Sequence, residues 1–230
     1  MSTILYKADA SPPARAVIML VDILGLKFEL RDLNPVLREQ DSPELKKKNP
    51  MRTIPLLDEG DYCLADSHAI IIYLLEKYGK PEHAHLYPVD PRKRGTVHQR
   101  LFFESAILFQ RLRSVMAPTY AGKLGEMTKN MIANIIDGYS KLEDYLSEHK
   151  YMADDVVTIA DISIVSSVAS LNGLVPIDEK KFPKLKQWLD SMNETDYCKK
   201  INIPGSQLHV EGLLALMKNN KDNREILSKL

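Results

Sequence analysis

The chain has 230 residues, of which 44% are hydrophobic and 27% are charged, and its 31 lysines and arginines balance its 31 aspartates and glutamates. This composition is typical of a globular protein with one large or two small domains, and the zero net charge argues against nucleic acid or an anionic membrane as the partner. The two cysteines, Cys63 and Cys198, are far apart and form no CxxC motif, so we predict neither a disulfide framework nor a cysteine metal cluster.

The first 80 residues have the pattern of a small mixed sheet with helices packed on it. We predict strands at 3–7, 27–33, 53–57 and 62–64 and helices at 14–24 and from Ser67 onwards. Gly25 can end the first helix in a left-handed conformation. Alternating apolar and charged residues over 27–33 predict a strand that is buried on one face only.

Beyond residue 80 the pattern changes to helices without strands. Three prolines within 81–91 indicate a linker, so we predict an N-terminal domain at 1–80 and an all-helical domain at 92–230. The predicted helices are 92–115, 126–149, one that opens at the Thr158 to Asp161 capping box, one after Phe182-Pro183, and one from Ser206. The N-terminus shows no leader pattern and no apolar run is long enough to span a bilayer, so we expect a cytoplasmic protein.

Ser11-Pro12-Pro13 lies between the first strand and the first helix. Serine is a favoured N-cap, and proline is tolerated in the first helical turn. Because unpaired N–H groups and the helix dipole stabilise negative charge there, a thiolate, carboxylate or phosphate could bind beside the Ser11 hydroxyl. The alternative is that Ser11 only caps its helix, as most such serines do.

An ordered set of motifs resembles the glutathione transferase family along the whole chain. The set comprises the strand and Ser-Pro-Pro helix, Asn49 to Pro55, Asp66 to Ile70, Tyr78-Gly79-Lys80, Leu86-Tyr87-Pro88, Phe103-Glu104-Ser105 and the Thr158 to Asp161 box. The resemblance is strongest to the insect delta and epsilon classes, and we expect an epsilon-like member. It implies an α/β plus all-α fold, in which a thioredoxin-like N-terminal domain binds glutathione and an all-helical C-terminal domain shapes the electrophile pocket. It also implies a homodimer.

By this resemblance Ser11 is the catalytic serine, and its hydroxyl would donate to the glutathione thiolate. Tyr6 is the rival hydroxyl, because other classes of the family use a tyrosine near the end of the first strand. Tyr6 precedes the helix cap, however, which favours Ser11.

The resemblance also assigns the glutathione contacts. Ile54-Pro55 resembles the family's cis-proline turn, whose backbone pairs with the cysteinyl part of glutathione, although an ordinary strand-edge proline is the alternative. The N-terminus of the next helix would hold the γ-glutamyl group, with the Asp66 carboxylate on its ammonium, or Asp66 and Ser67 are plain caps. The predicted glutathione-binding residues are Arg52, Thr53, Ile54, Pro55, Asp66, Ser67, His68 and Arg113.

Two positions near the expected glycine end of glutathione depart from the family pattern. Arg52 stands where delta and epsilon members have histidine, near the glycine carboxylate, so the positive charge is kept while the pH dependence of a histidine contact is lost. Gln40 stands where epsilon members often have histidine, which puts a second contact to the glycine end in doubt. Arg113 reaches glutathione or pairs across a dimer interface, and the sequence leaves both open.

We expect the electrophile pocket to be lined mainly from one apolar helical stripe, although such a stripe is more often plain core. The predicted pocket residues are Phe109, Leu112, Met116, Tyr120 and Leu208. Histidines and carboxylates show no metal-ligand spacing, so glutathione is the expected co-substrate and no metal is predicted.

The predicted function is a glutathione transferase that adds glutathione to lipophilic electrophiles or eliminates halide from them. A glutathione-dependent isomerase or peroxidase, and a non-catalytic carrier of hydrophobic ligands, are the alternatives on the same fold. Glutaredoxin-type exchange is disfavoured, because the helix begins with Ser-Pro-Pro-Ala and lacks the attacking cysteine.

Overall fold

The computed structural model describes the backbone of residues 3–227 and the side chains of residues 3–223. Residues 1–2 and 228–230, which the predicted domains include, lie outside the described residues. The strands are β1 (Ile4–Lys7), β2 (Glu29–Asp32), β3 (Leu56–Asp58) and β4 (Cys63–Ala65). The α-helices are α1 (Pro12–Ile23), α2 (Pro43–Lys48), α3 (Ser67–Tyr78), α4 (Pro91–Phe103), α5 (Phe109–Tyr120), α6 (Lys129–Glu148), α7 (Ile159–Leu174), α8 (Pro183–Asn193) and α9 (Ile203–Leu227).

The four strands form one mixed sheet in the order β2-β1-β3-β4. Strand β1 is parallel to β2 and antiparallel to β3, which forms an antiparallel pair with β4. Successive side chains of a strand point to opposite faces. Leu5 therefore joins the core that contains α1, whereas Tyr6 packs with Leu45 and Leu56 in a separate cluster. This sheet and the helices that follow confirm the predicted fold class.

The prediction that one face of the second strand is buried is wrong. All four residues of β2 are exposed, and Leu30 keeps 46% of its surface accessible. Strand β2 lies at the edge of the sheet, next to β1 alone, so it lacks a neighbouring strand on its outer side.

One continuous hydrophobic core joins the sheet to the helices. Helix α1 packs against α3 on the sheet domain and against α7 of the helical part. The same buried cluster runs from Leu5 in β1 to Met217 in α9. The predicted boundary at residues 81–91 therefore separates the part with strands from the part with helices alone. The hydrophobic core extends across it. The domain boundary itself stays a prediction.

The Thr158 to Asp161 capping box is confirmed at the start of α7. The fully buried Asp161 carboxylate accepts hydrogen bonds from the N–H groups of Met152 and Thr158 and from Nε1 of Trp188. Burial raises the pKa of Asp161, while these donors act in the opposite direction. The box ties three segments of the helical part together.

Two other predicted elements differ from the structure. The predicted helix at 92–115 is interrupted by a π-helical turn, Glu104–Leu108, between α4 and α5, and α5 continues to Tyr120. The predicted linker contains a 3-10 helix, Pro81–Leu86. No helix in the described residues 3–227 is long and apolar enough to cross a membrane.

Candidate functional site

A cavity of about 430 Å³ opens between the sheet domain and the helices, and it brings together most of the predicted site residues. Its walls fall into two parts. The sheet side, as we call it, comprises Ser11, Arg52, Thr53, Ile54, Pro55, Asp66, Ser67 and His68. The helical side comprises Phe109, Arg113, Met116 and Tyr120 of α5 together with His209 of α9.

Ser11 lies at the N-cap position of α1, and Pro12 and Pro13 occupy the first turn. Its carbonyl accepts from the N–H of Arg15, but its hydroxyl makes no cap hydrogen bond to the helix. Because most N-cap serines use the hydroxyl to satisfy the first-turn N–H groups, this one is free for a ligand. The interpretation of Ser11 as a simple cap does not fit the structure.

Tyr6, whose hydroxyl is the alternative to that of Ser11, lies on the face of the sheet opposite to Leu5 and α1. Its ring is buried with Leu45 and Leu56, and its hydroxyl accepts a hydrogen bond of 3.1 Å from Nη1 of Arg31. Tyr6 does not line the cavity as the described residues form it. The geometry therefore separates the two candidate hydroxyls.

The loop that precedes β3 is organised by a buried asparagine. The Asn49 side chain donates to the carbonyl of Thr53 at 2.9 Å and accepts from the N–H of Met51 at 3.0 Å. The Ile54-Pro55 peptide bond is cis, as the resemblance predicts, and the strand begins only at Leu56. Arg52 adopts φ of 56° and is exposed on the cavity wall, so its guanidinium is open to a ligand.

Asp66 caps α3 in a backbone conformation with φ of 75°. Its Oδ1 accepts from the N–H groups of His68 at 2.9 Å and Ala69 at 3.1 Å. Two N–H groups that the sequence left free for a ligand are thus used within the chain. The Ser67 hydroxyl and Asp66 Oδ2 have no hydrogen-bond partner in the described part of the protein, and both residues line the cavity.

The His68 ring lies deeper and joins the two parts of the molecule. Its Nε2 is 2.6 Å from Oγ of Ser163 in α7 and 3.2 Å from Oε2 of Glu104. The hydroxyl of Ser167 donates to the other oxygen of Glu104 at 2.5 Å. His68 therefore contributes to the cavity wall while its imidazole holds α3 against α7.

Helix α5 presents one stripe to the cavity, formed by Phe109, Arg113, Met116 and Tyr120 at spacings of four, three and four residues. Leu112 is fully buried in the core and does not line the cavity, so its assignment to the electrophile pocket is wrong. Leu112 belongs to the neighbouring stripe of α5, which is shifted by one residue and packs against the hydrophobic core.

Leu208 lies in α9 and lines an adjoining cavity of about 430 Å³ rather than the main one. Its placement in the main electrophile pocket therefore needs correction. The two cavities share Ala10, Pro35, Tyr120 and His209 in their walls, so Leu208 borders an extension of the same space.

Three cavity residues with polar groups were not among the predicted site residues, and one of them, Gln40, is the position whose contact with the glycine end the sequence left in doubt. Glu104 is buried in the π-helical turn, and Gln40 and His209 each have a buried polar atom without a hydrogen-bond partner among the described residues, Oε1 and Nε2 respectively. His209 is 3% exposed, and burial together with the nearby charge of Arg15 lowers its pKa to about 3. In the sequence, His209 is only one histidine in a predicted helix, and no local pattern marks it as a site residue.

The Arg15 side chain lies on the buried side of the loop that carries Ser11 and supports it. It is fully buried and donates to the carbonyl of Ala10 at 2.7 Å, to the carbonyl of Ser166, to Oγ of Ser170 and to Oδ1 of Asn202. Burial lowers its pKa to about 9. All of these acceptors are neutral, so the guanidinium keeps a positive field behind the start of α1.

A free hydroxyl at the start of α1 and a cis-proline turn line the same cavity, which agrees with the family to which the sequence is similar. The model of the glutathione S-transferase N-terminal domain matches residues 5–82, and that of the C-terminal domain matches residues 135–196. Glutathione S-transferase 1 of Manduca sexta is 42% identical over 206 residues, which cover 89% of this chain and 94% of the relative. The chain belongs to the glutathione S-transferase family.

Solved structures of insect transferases have the same fold. The epsilon-class glutathione S-transferase of the housefly, Musca domestica, superposes with a TM-score of 0.88 at 41% identity and covers 95% of this chain and 98% of its own. A glutathione transferase homologue from Drosophila mojavensis with bound glutathione gives a TM-score of 0.87 at 39% identity over 95% of this chain and 97% of its own. The expected likeness of this transferase to insect classes, the epsilon class included, is confirmed.

Proposed function

We propose that this glutathione transferase keeps the thiol of glutathione deprotonated through the Ser11 hydroxyl and transfers the tripeptide to lipophilic electrophiles. The observation that carries the proposal is the Ser11 hydroxyl, which lies at a helix N-terminus, makes no cap hydrogen bond and faces the cavity. A thiolate beside it accepts the hydroxyl proton and lies within the positive end of the α1 dipole.

The energies are sufficient for this role. A free thiol with a pKa near 8.5 is only a few per cent thiolate at pH 7, and lowering that pKa by two units takes about 2.7 kcal/mol. A hydrogen bond to a charged group contributes about 1.5 to 3 kcal/mol and a helix terminus about 0.3 to 1 kcal/mol. The buried charge of Arg15 acts in the same direction.

The sheet side supplies the remaining groups for glutathione. The backbone of Ile54, before the cis-proline, pairs with the cysteinyl unit, and Asp66 with Ser67 holds the γ-glutamyl end. Arg52 binds the glycine carboxylate, with Thr53 beside it in the same loop. Arg113 lines the cavity. This position supports a contact with glutathione rather than a salt bridge between subunits.

The helical side takes the electrophile. Phe109, Met116 and Tyr120 provide a largely apolar wall that is adaptable at the methionine. Catalysis there comes mainly from holding the electrophile near the sulfur. Conjugation and halide elimination both begin from this thiolate, and analysis of the products separates them.

Titration of the thiolate absorbance of bound glutathione tests the proposal without any electrophile. We expect Ser11→Ala to raise the pKa of the bound thiol by about one to two units and to lower turnover at pH 7 about tenfold to a hundredfold. Tyr6→Phe is the matched control, because it also removes one hydroxyl, and it should leave both values near those of the parent. A parent-like thiol pKa in Ser11→Ala would refute the role of Ser11.

We also propose a homodimer. Met51, Phe102 and Ile107 are large apolar side chains that are exposed by 59%, 69% and 38%. Phe102 lies near the end of α4 and Ile107 lies within the π-helical turn, so a second copy that covers this face would lie close to the cavity. Sedimentation equilibrium should give twice the 26.1 kDa mass of the chain. A monomer at micromolar concentration contradicts this part of the proposal.

A cytoplasmic location completes the proposal. Cys63 and Cys198 are both free thiols, which fits a reducing compartment. Fractionation of cells that produce the tagged protein tests this location.

A further inference from the structure

A second π-helical turn, Cys198–Asn202, precedes α9, and its last residue, Asn202, is fully buried. Oδ1 of Asn202 accepts a hydrogen bond of 2.9 Å from Nε of Arg15, and its Nδ2 donates to the carbonyl of Val165 at 3.3 Å. The orientation of this amide follows from its partners, because a guanidinium can only donate and a carbonyl can only accept. Asn202 therefore presents a neutral oxygen to a buried cation.

A neutral acceptor is an unusual partner for a fully buried arginine. Charged side chains are almost never fully buried unless they are paired, because they lose their hydration in the interior. The other acceptors of Arg15 in the described residues are neutral as well, namely the carbonyls of Ala10 and Ser166 and the hydroxyl of Ser170. Aspartate has nearly the size and shape of asparagine, and at position 202 it would form an ion pair with Arg15. Asparagine there satisfies the guanidinium and leaves its charge uncompensated.

The carboxylate of Asp9 lies near enough to act on Arg15 through its charge. Its Oδ1, however, is 2.6 Å from Nζ of the buried Lys7, which also pairs with Asp32 at 2.7 Å. The two aspartate side chains are 61% and 74% exposed, so water and salt screen them. Arg15 is buried and is screened much less, so its positive charge prevails in this part of the interior.

The charge of Arg15 acts on the titratable groups around it. Burial raises the pKa of the Cys198 thiol to about 11, and the charge of Arg15 is among the influences that oppose this rise. Burial and then the charge of Arg15 lower the pKa of His209. Nη1 of Arg15 is also 2.7 Å from the carbonyl oxygen of Ala10, the residue before Ser11. The sulfur that we place beside Ser11 therefore lies close to the same charge.

We propose that Asn202 is a positioning residue of the transfer reaction, because it holds Arg15 with a neutral oxygen and leaves the guanidinium charge to stabilise the glutathione thiolate beside Ser11. The inference rests on the proposed function and deepens it, since it gives the helical part of the chain a share in ionising the thiol. Neither Asn202 nor Arg15 takes the thiol proton, which leaves to water. At the effective dielectric constant of a protein, a unit charge about 10 Å away shifts a pKa by about one unit.

Asn202→Asp tests the inference, because it keeps an oxygen for Arg15 and adds one negative charge. We expect the pKa of the bound glutathione thiol, titrated by its thiolate absorbance, to rise by about one unit. With 1-chloro-2,4-dinitrobenzene and saturating glutathione, turnover should fall about fivefold to tenfold at pH 6. At pH 8.5 it should fall less than about twofold, because the thiol is then ionised in both proteins. The thermal midpoint should not decrease, since the buried cation gains a counter-ion.

Two control variants separate the charge from the packing. Asn202→Ser disturbs the same contacts without adding a charge, so it should lower the thermal midpoint and leave the thiol pKa near that of the parent. Asn172→Asp makes the same chemical change on α7, where the side-chain oxygen accepts from the N–H of Ile177 at 2.9 Å. It should leave the thiol pKa near the parent value as well.

Arg15→Gln offers a second route to the same result, because it removes the charge instead of neutralising it. The thiol pKa should again rise by about one unit, whether or not this variant is less stable than the parent. The titration needs only the folded, glutathione-bound protein, so a lower thermal midpoint does not affect its interpretation.

An unchanged thiol pKa in Asn202→Asp or Arg15→Gln would overturn the inference. An equal rise in Asn202→Ser or Asn172→Asp would also overturn it, since packing or any added carboxylate would then explain the effect. Failure of the proposed function appears instead in Ser11→Ala. A raised thiol pKa in Ser11→Ala together with a parent-like one in Asn202→Asp refutes only the role of Asn202.

Discussion

The two sides of the cavity are built in different ways. The sheet side relies on backbone geometry, with a cis peptide at Ile54-Pro55 and left-handed φ values at Arg52 and Asp66. The helical side relies on side chains from α5 and α9, which are 80 or more residues apart along the chain. Backbone geometry suits a constant ligand such as glutathione, whereas side chains on packed helices can change to suit different electrophiles.

The largest expected effect concerns the helical side, where acid should act on folding through His209. Its pKa in the folded protein, about 3, is below the ordinary value, so the unfolded chain takes up the proton first as the pH falls. The free energy of unfolding should therefore decrease by up to about 1.4 kcal/mol per pH unit below pH 6.5, and the loss continues towards pH 3.

Urea unfolding from pH 7 to pH 4, followed by the fluorescence of the single tryptophan, Trp188, measures this slope. His209→Phe should flatten the slope, and Gln207→Ala should not. An identical slope in His209→Phe and the parent would show that other groups account for the acid sensitivity.

The next largest effect concerns the sheet side. Asp66→Asn keeps the cap oxygen of α3 and tolerates the left-handed conformation, but it removes the charge that we assign to the γ-glutamyl ammonium. A charged hydrogen bond at an exposed site contributes about 1.5 kcal/mol, so KM for glutathione should rise about tenfold.

KM for the electrophile at saturating glutathione and the thermal midpoint should stay near the parent values in Asp66→Asn. Asp66→Ala, which also loses the cap, is the comparison and should lower stability by about 1 kcal/mol. If Asp66→Asn changes stability as much as Asp66→Ala does and glutathione binding not at all, Asp66 is a structural cap only.

The smallest effect is expected at Arg52. Because its side chain is exposed, an ion pair with the glycine carboxylate contributes about 0.2 to 1 kcal/mol, and Arg52→Ala should weaken glutathione binding less than fivefold. Arg52→His should bind glutathione more tightly at pH 6 than at pH 8, since histidine loses its charge in that interval. Calorimetry at the two pH values checks this, and a parent protein with the same pH dependence would argue against the role of Arg52.

Much of the sheet side could be predicted from the sequence, because its signals are local. Ser11 before two prolines marks a helix N-terminus, and Asp66-Ser67 marks another. The cis state of Ile54-Pro55 came from the family resemblance, since the residues alone favoured an ordinary proline. The Ser11 hydroxyl makes no hydrogen bond to its helix, whereas Oδ1 of Asp66 does. This difference depends on side-chain geometry that the sequence does not specify.

The helical side could be predicted less well, for two physical reasons. Leu112 and Met116 lie on neighbouring stripes of one helix and are both apolar, and the π-helical turn before α5 shifts the register that would distinguish them. His209 is brought to the cavity by the packing of α9 on α7 and on α1, and α1 lies almost 200 residues earlier in the chain. No local pattern encodes that contact.

The burial of Arg15 has a consequence for dissecting the molecule. No carboxylate of the side chains that the structure describes forms an ion pair with its guanidinium, and three of its four acceptors come from Ser166, Ser170 and Asn202, beyond the predicted linker. A gene fragment for residues 1–80 would leave this cation facing an exposed apolar surface, so we expect the fragment to be insoluble when produced without the remaining 150 residues. The thioredoxin-like unit of this protein thus depends on the helical part for its stability, unlike a free-standing thioredoxin.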